Sequence, residues 1–421
     1  MPPPAPPRST RRGGPRSTGR RRRRPGAARP EPFRGTGEEA VERLDALLRD
    51  AVAGRMIADV PLGAFLSGGI DSSTVVALMQ AQSARPVRTF SIGFHHKNNE
   101  AQFAGAVARH LGTDHTALYV DGKDTLAVVD RMPEVYDEPF ADSSQIPTWI
   151  ISHLARRHVT VALSGDGGDE LFYGYRRYFR GRKIWSSLSL VPIALRRAAA
   201  RAVRLAAPGE PREGKLHALA ADLEAASPDA MFRNRVSFWK NPAELVLGGS
   251  EPVTLSDEVT GCIDPVEPDR RMMLLDLLTF LADDILVKVD RASMAVSLEV
   301  RAPILDHRVI ELAFALPMTM KFRDGKGKWV LRQVLARYVP PQLTERPKVG
   351  FGSPIADWLR GALRDWAEEL LTEERLRREG YFHPATVRAM WSENLAGRRK
   401  WHNHLWPVLM FQAWLERNVR C

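Results

Sequence analysis

Leu62-Gly63-Ala64-Phe65-Leu66-Ser67-Gly68-Gly69-Ile70-Asp71-Ser72-Ser73-Thr74-Val75-Val76-Ala77-Leu78-Met79 decides how this chain reads. The apolar run Leu62 to Leu66 has the character of a buried strand, and a helix is expected to follow over Ser72 to Gln82. Between them lies a glycine-bearing turn. A strand, a tight turn and a helix N-terminus together make an anion site, because backbone N–H groups point outward and the helix dipole favours negative charge. Gly68 and Gly69 let the backbone approach a phosphate closely, and Ser67, Ser72 and Ser73 add hydroxyl donors. Asp71 would repel a bare phosphate, so its natural task is to hold a magnesium ion that the phosphate shares. The turn lacks the Gly-Lys-Ser/Thr ending of a Walker A loop.

Outward from this turn, strand and helix signals alternate. A helical pattern starts at Glu38 and stops near Gly54, and Ala64 to Leu66 reads as a strand. Arg88 to Phe94 is a strand, Glu100 to Leu111 a helix closed by Gly112, and His115 to Val120 a strand. Asp124 to Met132 and Ser144 to His158 read as helices, and Val159 to Leu163 as another strand. The alternation predicts an α/β fold, a parallel sheet with helices on both faces. Strand signals fade after about Tyr178, and Met272 to Leu281 and Trp329 to Tyr338 read as helices. The expected organisation is a tail over 1–35, an α/β part carrying the anion-site turn over 36–180 and a mostly helical part over 181–421.

Charge is concentrated in the tail. Of the 61 basic and 50 acidic residues, residues 1–35 hold eleven Arg and one Glu, leaving 50 basic against 49 acidic for the rest. The nearly neutral body gives no compositional support to nucleic-acid binding. Only the tail, with its run Arg20 to Arg24, carries that option, and its Pro, Arg and Gly content reads as a disordered extension. No apolar stretch is long enough to span a bilayer, and no apolar signal region opens the chain. The two cysteines, Cys262 and Cys421, make no disulfide framework and no Cys-x-x-Cys, which fits a reducing cytoplasm.

A second loop has the same placement as the first. Val159 to Leu163 runs into Ser164-Gly165-Asp166-Gly167-Gly168-Asp169-Glu170, with three carboxylates beside the expected phosphate site. Carboxylates this dense repel phosphate unless a divalent cation or a cationic substrate intervenes. Asp71 and Asp169 are therefore candidates to hold magnesium jointly.

Ser-Gly-Gly-x-Asp-Ser resembles the pyrophosphate loop of enzymes that split ATP between its α- and β-phosphates. With the second loop, the chain from about residue 38 to 421 resembles the synthetase domain of the glutamine-dependent asparagine synthetase family. The resemblance is carried by Asp59-Val60-Pro61-Leu62-Gly63, Thr89 to Phe94, Ser164 to Glu170, Asp290 to Ala295, Glu299 to Asp306 and Gly327-Lys328-Trp329-Val330-Leu331-Arg332. It implies an ATP site of Leu66, Ser67, Gly68, Gly69, Asp71, Ser72 and Ser73, with Ile92, Ser164 and Gly165 lining adenine and ribose. It implies magnesium on Asp71 and Asp169, and Lys328 as the lysine that stabilises charge on the transferring α-phosphate. Asp166 falls where many members have a glutamate near the reacting carboxylate and ammonia, and its side chain is one methylene shorter. Taken alone, Lys328 reads as a solvated lysine next to a helix start. Asp137 to Ser144 resembles a loop near the substrate pocket, able to meet an amino group, and Arg346 to Gly352 a late block whose cation would meet phosphate. His110, His115 and His153 show no metal spacing and read as structural.

The family's full-length enzymes open with a glutaminase domain whose N-terminal cysteine is the nucleophile. Here Met1 is followed by Pro2, and no cysteine precedes Cys262, so glutamine hydrolysis by this chain is not expected. The implied activity is adenylation of the aspartate side chain followed by ammonia transfer, with ATP as substrate and Mg2+ as cofactor. Free ammonia, a separate glutaminase subunit, and a truncated inactive homologue all stay open, as does a related ligase forming amides or lactams on another carboxylate. The expected partners are aspartate and ammonia, with a homodimer left open and no membrane.

Overall fold

The computed structural model describes residues 31–94, 100–206, 214–239, 241–254, 267–345 and 353–419. Most of the basic tail, Cys262, Cys421 and the block Arg346 to Gly352 lie outside the described residues. Leu62–Phe65 forms strand β1, followed by β2 (Arg88–Phe94), β3 (Asp114–Val120), β4 (Val161–Leu163) and β5 (Glu299–Arg301). They form one parallel sheet in the order β3-β2-β1-β4-β5. Ala64 of β1 stands beside Thr89 on one side and Leu163 on the other. The chain thus winds outward in both directions from the β1/β4 pair. That is a topological switch point, where loops leaving the carboxyl ends of two adjacent strands diverge and leave a crevice. Both glycine-bearing loops leave the sheet there.

The central strands β1 and β4 are buried, while β3 and β5 at the two edges are more open, so the middle of the sheet is held by packing as well as by hydrogen bonds. Helices Gly37–Met56, Ile70–Ala81 and Trp329–Ala336 pack one face through Leu44, Leu48, Val76, Leu78 and Leu331. Helix Gln145–Arg156 and the carboxyl-terminal helices pack the other through Phe90, Ile92, Ile146, Trp391 and Trp406. Helix Gly37–Met56 starts at a capping box: Glu39 N–H donates to Thr36 Oγ1 at 3.2 Å, and Thr36 N–H donates to Glu39 Oε2 at 2.7 Å. None of the helices among the described residues is long and apolar enough to cross a membrane.

The structure corrects the sequence reading in three places. Strands do not stop with β4: Glu299–Arg301 adds β5 at the sheet edge, pairing Val300 with Ala162. Three residues flanked by charge give no alternating pattern to detect. The helix expected over Asp124 to Met132 is Gly122–Val129, followed by a separate turn Met132–Val135 that opens on Pro133. The helix expected over Met272 to Leu281 is Pro268–Leu278. It is followed by a π-helical stretch, Phe280–Leu286, and then by helix Val287–Met294. Thr279 breaks the first helix with φ −121° and ψ −75°.

Candidate active site

The loops after β1 and β4 floor a cleft of about 840 Å³. Leu66, Ser67, Gly69, Asp71, Ser72, Ile92, Ser164, Gly165, Asp166, Asp169 and Lys328 all line it. The first loop is tied by its own hydroxyls. Ser67 N–H donates to Ser72 Oγ at 3.2 Å, the two hydroxyls lie 3.0 Å apart, and Gly69 N–H donates to Ser67 Oγ at 3.2 Å. Two of the sequence candidates do not face the cleft. Ser73 is fully buried in the helix, its hydroxyl without a hydrogen-bond partner among the described residues. Gly68 turns away with φ +71°, and a β-carbon there would press within 2.7 Å of the Phe103 backbone.

Lys328 joins the two loops across the cleft. Its ammonium bonds Asp71 Oδ2 and lies 2.7 Å from Asp169 Oδ1. The residue is 6% exposed, which overturns the reading of a solvated lysine. Burial disfavours its charge, but Asp169 and Asp71 outweigh burial and hold the ammonium above its usual range. Its backbone is anchored by N–H donation to the Phe172 carbonyl at 2.8 Å. It caps helix Trp329–Ala336 in the left-handed region, at φ 61°. The backbone of Gly174 passes so close that a β-carbon there would overlap Asp169 and the Lys328 stem.

The two carboxylates converge on a single cation, and in donor chemistry they suit magnesium. That ion typically takes one or two protein carboxylates and completes its shell with water and phosphate oxygens. Among the described residues no group of three or more His, Cys, Asp or Glu is placed to cage a metal.

A second charged cluster closes the other end of the cleft. Lys288, from helix Val287–Met294, donates to Asp142 Oδ2 at 2.7 Å. Ser144 donates its N–H at 2.9 Å and its hydroxyl at 2.8 Å to Asp142. Burial would raise the Asp142 carboxyl, yet Lys288 and the Ser144 bonds hold it below the usual range. Neighbouring Asp284, in the π-helical stretch, is pushed up to about 6 by burial and by the Asp142 charge. Lys288 was not among the sequence candidates. Its signal was present as a lone charge inside the apolar run Ile285-Leu286-Val287-Lys288-Val289.

Asp166 stands between the clusters and accepts the Ser164 hydroxyl at 2.8 Å. Burial raises its pKa, with Asp169 adding to the rise, while Ser164 and Lys288 oppose it. Glu170 is pushed up to about 7 by burial and by Asp169, against a 2.6 Å hydrogen bond from the Tyr175 hydroxyl. The histidines are occupied elsewhere. His115 bridges Thr89 and Ser91 at 2.9 and 3.1 Å, His110 contacts the Tyr338 carbonyl at 2.9 Å, and His153 stacks on Trp149.

A parallel sheet with two glycine-bearing loops at its switch point, converging carboxylates and a buried lysine defines an α/β domain of the pyrophosphate-loop class. The chain belongs to the asparagine synthase family, whose model matches residues 43–416. Asparagine synthetase (glutamine-hydrolysing) 1 of Bacillus subtilis is 29% identical over 395 residues, covering 92% of this chain and 61% of the relative. A Mycobacterium tuberculosis relative, provisionally named a glutamine-hydrolysing asparagine synthetase, is 35% identical over 383 residues, covering 89% of this chain and 57% of its own length. The Bos taurus asparagine synthetase (glutamine-hydrolysing) is 24% identical, with 88% and 55% covered. This chain thus spans 55–61% of the length of these curated relatives.

Proposed function

We propose that this chain is the synthetase part of an asparagine synthetase-type ligase, converting aspartate, ammonia and ATP into asparagine, AMP and pyrophosphate. The observation that carries the proposal is the bridging of Asp71 and Asp169 by Lys328 across the two loops of the switch-point crevice. The aspartate side-chain carboxylate attacks the α-phosphorus of ATP. The bond from that phosphorus to the α–β bridging oxygen breaks, and pyrophosphate leaves. Ammonia then attacks the acyl carbon, the carbon–oxygen bond to AMP breaks, and the amine nitrogen gives up a proton.

In this reading Ser67, Gly69 and Ser72 of the first loop hold pyrophosphate, and Leu66, Ile92, Ser164 and Gly165 line the adenosine. Asp71 and Asp169 would hold magnesium, which neutralises charge on the leaving pyrophosphate when bound. Lys328 aims an ammonium at the α-phosphate, where charge develops. Lys288 and Asp142 make a preformed pair of opposite charges that complements an amino-acid zwitterion, carboxylate to Lys288 and ammonium to Asp142. Asp166, between the two clusters, then lies near the acyl carbon. A cytoplasmic setting, and ammonia taken free or from a separate glutaminase, belong to the same proposal.

The test is pyrophosphate release from Mg·ATP, measured with and without aspartate and ammonium, with asparagine assayed in the same tube. One asparagine per pyrophosphate is expected. Pyrophosphate without asparagine would move the reading to another carboxylate or amine. Full pyrophosphate release by Asp71→Asn would refute the site assignment.

A further inference from the structure

The ammonium of Lys328 stands where the two candidate metal ligands meet. We propose that it is an exchangeable internal counter-ion: it neutralises Asp71 and Asp169 before ATP binds, then yields that position to the incoming divalent cation and turns to the phosphates. The inference rests on the ligase reading above and adds an order of events to it.

Three observations support the exchange. Two half-buried carboxylates facing one point repel each other unless a cation lies between them, and the buried Lys328 ammonium lies there. The lysine is held in this position against local preference. Its backbone sits in the left-handed region at φ 61°, and it caps the N-terminal end of helix Trp329–Ala336, where the dipole opposes positive charge. Such a placement persists only where the surroundings impose it. They do so here through the Phe172 carbonyl on the Lys328 N–H and through the close backbone of Gly174. Finally, the hydrogen bond to Phe172 fixes the Lys328 backbone, and the cleft that Lys328 lines gives the ammonium at the end of its stem room to turn.

A tethered ammonium competes with dissolved metal at a very high effective concentration. Free divalent cation should therefore enter poorly by itself. Arriving with ATP, it brings phosphate oxygens to complete its shell and a new anion for the displaced ammonium. The exchange thus links metal seating to delivery of the lysine.

The experiment measures Mn2+ binding by electron paramagnetic resonance of the free ion, without nucleotide, for wild type, Lys328→Met and Lys328→Gln. Both variants are expected to bind Mn2+ at least tenfold more tightly than wild type, and adding Asp71→Asn should abolish the gain. Two variants guard against a folding defect in one, and each is checked by its thermal unfolding. Wild type should bind Mn2+ well only together with ATP. Equal nucleotide-free affinity in wild type and both variants, with Mn·ATP still bound by wild type, would overturn the exchange and leave the ligase reading intact. Unchanged Mn·ATP binding by Asp71→Asn would instead remove the metal assignment on which both rest.

Discussion

Lys321 offers the sharpest test of the energetics. It is fully buried, its Nζ has no hydrogen-bond partner among the described residues, and its nearest π contact is the Phe314 ring at 5.4 Å. Burial, with Arg270 adding to it, lowers its pKa from 10.5 to about 7. A lysine depressed in the folded state binds its proton more readily when unfolded. Stability therefore rises with pH between about 7 and 10.5, and the penalty is fully felt below that window. At pH 7 linkage sets the penalty at about 4 kcal/mol. Lys321→Met keeps the length and removes the charge. It should stabilise the protein by up to about 4 kcal/mol at pH 7, and the gain should shrink by about 1.4 kcal/mol per pH unit. Urea denaturation of both proteins at pH 7, 8, 9 and 10 reads this directly. A difference that stays constant across the series would refute the argument, because it would mean that Lys321 carries no depressed titration.

Gly174→Ala places a β-carbon onto Asp169 and Lys328. It should cut pyrophosphate release roughly 100-fold, the scale of losing one charge-stabilising group, with circular dichroism unchanged. Asp142→Asn removes one half of the pair with Lys288. Its KM for aspartate should rise about tenfold or more while KM for ATP holds, since lost binding of one substrate part appears in that substrate's KM. Thr36→Ala breaks the capping box of helix Gly37–Met56. A loss of about 1 kcal/mol in urea denaturation, with turnover intact, is expected.

Legibility in the sequence followed the range of the interactions. Arg88–Phe94 and Glu100–Leu111 were readable to the residue because their periodicity is local. The two loops were readable because glycine and carboxylate at a strand end have few other reasons to coincide. The edge strand Glu299–Arg301 was not, since three residues carry no period and its partner Val161–Leu163 lies far back in the chain. The pairing of Lys288 with Asp142 spans 146 positions and exists only because helix Val287–Met294 packs on helix Gln145–Arg156. The burial of Lys328 was hidden for the same reason, and only the family pattern singled it out.

The 257 positions between Asp71 and Lys328 also set a timetable. At about 5–20 residues per second, a ribosome finishes the first loop some 13 to 50 seconds before it reaches the lysine. During that interval the nascent chain has Asp71 without the ammonium that pairs with it in the folded protein. Strand β5 and Lys288 are likewise late products of translation. The ion pair that joins the two loops therefore forms only after all five strands have been made, and a fragment ending before Lys328 lacks the ammonium that Asp71 and Asp169 share.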